Sequence, residues 1–247
     1  MSDLQYRPRS VTEILDAAFQ LYRADALRYI LITAIAYAPL MIFELVFLDP
    51  AGVTLTGGAF GLASYVAGFI AFALMSAALV RLSAEAYLGR DMEIGTALAE
   101  VLPRVPAILG ATFIRIVLIF VGILLLVIPG LWFFARTFAL TPIIILERAG
   151  VAEALNRSAK LSEGRKGAIL GCYFLAYLIF YVVTLAFGLV AALVGGGVLF
   201  TLITTIATVL IYPVIGIMEM VLYYDARIRA EGYDVELMAS SLGAATP

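Results

Sequence analysis

Polar and apolar positions along this chain segregate into long blocks. Apolar stretches cover residues 27–48, 57–80, 105–127, 167–194 and 198–224, each about the ~20 residues a helix needs to cross a hydrocarbon core. A shorter block, 131–146, reaches only about 24 Å at 1.5 Å per residue and needs local adjustment to span. It is joined to the third block by Ile128-Pro129-Gly130. Pro followed by Gly suits the central positions of a type II turn, so spans three and four are expected to form a tight hairpin turning there.

Three shorter segments, 10–25, 91–102 and 151–163, have a helical amphipathic period instead. The first opens on a capping box, Ser10 with Glu13, and lines up Val11, Ile14, Leu15, Ala18 and Tyr22 on one face. The second groups Ile94, Ala97, Leu98 and Val101 before Pro103. The third sets Val151, Ala154, Leu155 and Ser158 opposite Glu153, Asn156, Arg157 and Lys160. Such helices are expected to lie along the inner membrane interface. Val11-Thr-Glu-Ile-Leu, Ile94-Gly-Thr-Ala-Leu and Val151-Ala-Glu-Ala-Leu align. Either a threefold repeat of one interfacial helix plus two spans or mere shared topology accounts for this.

Charge placement orients the spans. Lys and Arg concentrate before residue 28, between 81 and 104, between 147 and 166, and after 224, while the opposite connections carry one charge, Asp49. By the positive-inside rule the basic sides are cytoplasmic. The expected fold class is therefore all-α: a polytopic membrane bundle of six spans, three cytoplasmic interfacial helices, both termini inside, and a cytoplasmic tail at 225–247. A single integral membrane domain is the implied setting. The N-terminal residues lack a cleavable signal pattern.

Composition narrows the chemistry. The chain is 64% hydrophobic and 14% charged, against roughly 25% charged in soluble domains. It has no histidine and one cysteine, Cys172. That removes the commonest general base and metal ligand, and any internal disulfide. No phosphate-binding glycine loop or basic stripe is present, so no cofactor, metal or nucleic acid is expected.

Four ionisable residues fall inside the spans: Glu44, Arg115, Arg136 and Glu219. An Arg at a helix centre costs roughly 2.5 to 3.5 kcal/mol on insertion scales, so each is expected to face inward and find a partner. Similar depth along the spans pairs Glu44 with Arg136, and Arg115 with Glu219. The pairs read either as structural locks or as an anion or headgroup site in which the arginines bind phosphate. Uncharged polar residues form stripes: Thr33 and Tyr37 in span one, Tyr173, Tyr177, Tyr181 and Thr184 in span five, and Thr201, Thr205, Thr208 and Tyr212 in span six. They are expected to converge, through interhelical hydrogen bonds or around a ligand cavity. Pro213 removes a backbone donor in span six and makes a candidate hinge, with a Thr hydroxyl re-satisfying the freed carbonyl. In the tail, Asp225 with Arg229 and Arg227 with Glu231 are spaced for pairs on a solvated helix end.

Ile128-Pro129-Gly130, then Glu147, Ala154, Ser158, Leu161 and Gly164, and the run Tyr223-Tyr-Asp-Ala-Arg-Ile-Arg-Ala-Glu-Gly-Tyr-Asp234 resemble a bacterial family. It is the membrane domain found with glycerophosphoryl diester phosphodiesterases, which also occurs as stand-alone inner-membrane proteins. The resemblance implies a six-helix membrane module. It does not imply phosphodiesterase activity, because in fused members the chemistry resides in a separate soluble barrel of about 250 residues. The functional expectation is a non-catalytic scaffold, assembly or lipid-organising module, partnered by membrane lipids, other membrane proteins or a second copy. The alternative is a transporter or lipid- and anion-handling protein using Arg115 and Arg136.

Overall fold

A computed structural model provides the fold. It describes residues 8–46, 58–194 and 198–232, with the side chains of 43–46, 58–61, 64 and 194 outside that description. The described residues form α1 (Val11–Ala24), α2 (Ala26–Val46), α3 (Gly58–Tyr87), α4 (Ile94–Val101), α5 (Val105–Leu125), α6 (Val127–Arg136), α7 (Leu140–Leu146), α8 (Val151–Leu161), α9 (Lys166–Val194) and α10 (Val198–Glu231). Among them, five segments are long and apolar enough to cross a membrane, and the pair α1–α2, bent by 90°, is a sixth if counted as one span. The protein is a helical membrane bundle. Its helices pack chiefly as three hairpins: α2 on α3, α5 on α6, and α9 on α10.

The amphipathic helices form where their periodicity places them, but their apolar faces have a different destination. In α1 the Ser10 hydroxyl accepts the Glu13 N–H at 3.3 Å and the Glu13 carboxylate accepts the Ser10 N–H at 2.8 Å, closing the capping box. Ile14, Ala18, Ala97, Val101, Ala154 and Ser158 are all buried inside the protein. The principal partners are α10 and α9 for α1, α3 for α4, and α7 and α5 for α8. Each short helix thus seals a hairpin other than its own. The face expected to enter lipid is consumed by protein packing, which removes the same apolar area from water without a bilayer.

The connection of the second hairpin differs from expectation. The chain reverses at Leu126, extended at φ −172° and ψ 152°, and Ile128, Pro129 and Gly130 lie within α6. Proline is tolerated in a first helical turn because the N–H it lacks has no intrahelical partner there. Gly130 serves close approach, not a turn: a Cβ on Gly122 would stand 2.7 Å from the Gly130 Cα, backbone against backbone. A second crossing of this kind joins α3 to α10, where a Cβ on Gly216 would meet the Leu79 Cβ at 2.8 Å.

Span four is longer than its apolar block, running 20 residues from Val127 to Leu146, and it is broken. α6 ends at Arg136, α7 begins at Leu140, and Pro142 in the first turn of α7 leaves the Phe138 carbonyl without a helical donor. The Tyr173 hydroxyl supplies one, donating to that carbonyl at 3.3 Å. The Ser158 hydroxyl accepts the Ala139 N–H at 3.2 Å and donates to the Arg136 carbonyl at 2.9 Å. Residues from α8 and α9 thereby stitch the broken span.

Pro213 lies inside an uninterrupted α10. From Tyr212 to Ala226 every residue of this helix is buried, so the expected hinge is a packed position. The Thr208 hydroxyl bonds the Thr204 carbonyl at 3.0 Å. It is Tyr22 of α1 that donates to the Leu210 carbonyl, at 2.8 Å, in the turn Pro213 weakens. With the Arg9 N–H bonded to Asp225 at 2.6 Å, the N-terminal segment and α1 run along α10 from Asp225 back to Leu210.

Candidate functional site

Four helical faces generate the site. On α5, Thr112, Arg115, Ile116 and Ile119 fall at helical steps of three and four, as do Tyr212, Ile215 and Glu219 on α10, Phe72, Ala73 and Ser76 on α3, and Tyr173 and Tyr177 on α9. With Phe134 from α6 and Thr141 from α7 they enclose a cavity of about 270 Å³. Its polar content is a guanidinium, a carboxylate, three phenols and three small hydroxyls; the rest is apolar.

Arg115 and Glu219 do meet in this cavity, but no direct ion pair joins them. The Arg115 guanidinium lies 4.9 Å from the Phe134 ring centre and 6.0 Å from that of Tyr173, positions where ring faces attract a cation. Glu219 is buried, with its Oε1 lacking a hydrogen-bond partner. Leaving a buried acceptor unmet costs about 1–3 kcal/mol or more when charged. The Ser76 and Thr141 hydroxyls interact with the same carboxylate, so the orphaned oxygen is one of two, in a cavity it shares with a cation.

The cavity also has a side. Phe72 and Ile116, on its lining, are 42% and 50% exposed on the flank of the bundle. α3 and α5, which carry them, pack on one another, so the opening lies on the apolar flank. Tyr173, Tyr177 and Tyr181 stack in a ladder along α9, with centroids 6.2 and 6.1 Å apart. It leads from the cavity to Tyr181, which is exposed.

The polar stripes therefore converge only in part. Tyr173, Tyr177 and Tyr212 line the cavity. Thr33 is buried on the Tyr29 carbonyl at 2.8 Å, and Thr184 bonds the Phe180 carbonyl at 2.9 Å. Both hydroxyls serve their own helices. Thr205 is buried, and Tyr37, Thr201 and Thr208 are half-buried, all away from the cavity lining. Ser76, Thr112, Thr141 and Phe134 are lining residues that sequence reasoning passed over. Only Thr112 carried a signal, one turn from Arg115 on α5; Ser76, Phe134 and Thr141 come from helices that hold neither charge.

Arg136 stands outside. It is exposed at the end of α6, with its guanidinium 4.9 Å from the Trp132 ring centre. Phe134 faces Arg115 on the opposite side of the same helix, so α6 is a wall with one arginine on each side. The Glu44 side chain lies outside the described residues. The main neighbours of α2 are α3, α10 and α1, whereas those of α6 are α5 and α9.

At the other end of α10, the charged tail is a solvated helix end only at Arg229, Ala230 and Glu231, which are exposed. Asp225 is 1% exposed, bonded by Arg165, by Arg229 at 3.2 Å and by the Arg9 N–H at 2.6 Å. Glu147 accepts the Tyr223 hydroxyl at 2.6 Å and Arg157 at 2.7 Å. Arg157 also pairs with Glu231, which takes Arg227 at 3.0 Å. Tyr224 stacks on Tyr87 with centroids 5.1 Å apart. The run Tyr223-Tyr-Asp-Ala-Arg-Ile-Arg thus ties the N-terminal segment, α3, α8 and α10 together. No protein-family model, curated protein or solved structure matches the chain.

Proposed function

We propose that this is a six-span protein of a bacterial inner membrane, with both termini cytoplasmic. It binds an amphiphile in the Arg115–Glu219 cavity and performs no catalysis. The observation that carries the reading is a guanidinium and an unpartnered buried carboxylate oxygen in one cavity open on the apolar flank. Arg115 calls for an anionic group, phosphate or carboxylate. Glu219 calls for a donor close to that group, an ammonium or a hydroxyl. Phe72, Ile116, Ile119 and Ile215 suit an acyl chain. The head group that satisfies all three is a phosphate bearing an amino- or hydroxyl-alkyl substituent, as in a phospholipid or lysophospholipid.

This favours lipid handling over the scaffold reading, whose support was a layer of lipid-facing amphipathic helices; those faces are packed on the bundle. The threefold plan draws support from the burial of Ile14, Ala97 and Ala154, and of Ala18, Val101 and Ser158, at matching positions of the aligned segments. The resemblance to the phosphodiesterase-associated membrane family rests on Ile128-Pro129-Gly130, on Glu147, Ala154, Ser158, Leu161 and Gly164 and above all on the tail run, and it is consistent with a non-catalytic module.

Thermal unfolding of the detergent-solubilised protein tests the proposal. Lysophosphatidylethanolamine is expected to raise the midpoint, by mass action on the folded state, more than dodecyl phosphate does. Dodecyltrimethylammonium should not raise it. Arg115→Gln should abolish the response and Arg136→Gln should retain it. An undiminished response in Arg115→Gln would place the ligand elsewhere.

A further inference from the structure

On the outer side of α6 a second cationic feature stands apart from the cavity. The Arg136 guanidinium lies 4.9 Å and the Lys166 ammonium 5.6 Å from the centre of the same Trp132 ring. Trp132 and Arg136 are one turn apart on α6, and Lys166 opens α9, which packs on α6. Among the described residues neither cation has a carboxylate partner, although the neighbouring Arg165 is committed to Asp225. Trp132 is 39% exposed, and Leu131 on α6 and Phe174 and Leu178 on α9 are exposed apolar residues.

Two cations gathered at one indole concentrate positive charge that no carboxylate among the described residues neutralises. An anion with several acceptor oxygens is the ligand such a pair suits. An indole beside Lys and Arg is also the residue set that settles at head-group level. Lys166 ends the basic connection that the charge asymmetry places on the cytoplasmic side. We infer that Trp132, Arg136 and Lys166 form a site for the phosphate of an anionic phospholipid in the cytoplasmic leaflet, separate from the Arg115 cavity.

Trp132 is the chain's one tryptophan, so its fluorescence reports on this site alone. The full chain in phosphatidylcholine nanodiscs is doped with phosphatidylglycerol dibrominated near the head group, or with phosphatidylcholine brominated in the same way. Quenching by the anionic lipid should show a preference on the order of tenfold, as two cations at a membrane surface imply. Arg136→Gln with Lys166→Gln should equalise the two lipids. Lys166→Gln alone should reduce the preference partially, and Arg115→Gln should leave it intact. Inorganic phosphate should not displace the brominated lipid. Equal quenching in the wild-type chain, a preference surviving the double substitution, or displacement by inorganic phosphate would each overturn the assignment.

Discussion

Two buried carboxylates sit on the same helix less than two turns apart and are treated in opposite ways. Asp225 is 1% exposed and its oxygens are bonded by Arg165, Arg229 and the Arg9 N–H. Glu219 is 6% exposed, and one of its oxygens has no partner. A buried charge with a full set of donors is a structural tie; one left incomplete beside a cavity costs stability that the fold does not recover by itself. Glu147, with Tyr223 and Arg157, follows the pattern of Asp225. The contrast separates a charged layer that ties the helices together from an interior cavity whose carboxylate is left incomplete.

The largest expected effect falls on the saturated side. Asp225→Ala strands Arg165 and Arg229 and detaches the N-terminal segment, and should cost about 3–5 kcal/mol. A steep fall in the unfolding midpoint is the readout, and an unchanged midpoint would break the comparison. Next, Tyr173→Phe removes the donor to the Phe138 carbonyl and should cost about 1–3 kcal/mol for the orphaned group, measured as the same midpoint shift. Glu219→Gln, by contrast, should change stability by less than about 1 kcal/mol of either sign while weakening the response to lysophosphatidylethanolamine. A loss as large as that of Asp225→Ala would make Glu219 a structural tie after all.

The smallest effect belongs to a surface pair. Arg28 hydrogen-bonds Asp91 and holds its carboxylate below the usual range. A depressed folded value means the contribution is present above pH about 4 and is lost as pH falls through it. Asp91→Asn should therefore lower stability slightly at neutral pH and leave it unchanged at pH values below the folded value, which flattens the acid limb. A midpoint drop at neutral pH rivalling that of Tyr173→Phe would contradict this.

The helices, the capping box at Ser10 and Glu13 and the tail pairings were legible because each depends on spacing along one helix, and the meeting of Arg115 with Glu219 because their depths along two spans match. What was not legible depends on which way a face turns. In a membrane bundle the lipid-facing and core-facing sides are both apolar, so periodicity does not separate them. Arg136 was accordingly placed inside, though it stands on the outer side of α6, and Tyr181 was grouped with the inward tyrosines. Asp225 read as solvated because the helices that cover it come from distant parts of the chain. The Pro129-Gly130 pair misled for a different reason: proline suits a first helical turn as well as a β-turn, and the glycine answers to Gly122 across the hairpin.

The central claim is that the Arg115–Glu219 cavity receives an amphiphile head group, and the most direct measurement is thiol protection at its wall. In a Cys172→Ala background, Ser76→Cys places one reactive group among the lining residues. The claim predicts modification by N-ethylmaleimide in the folded protein, strong slowing by lysophosphatidylethanolamine, and no slowing once Arg115→Gln is added. A thiol that stays unreactive until the protein unfolds, or one that the lipid fails to protect, would contradict it and leave the Arg115 and Glu219 charges a structural role.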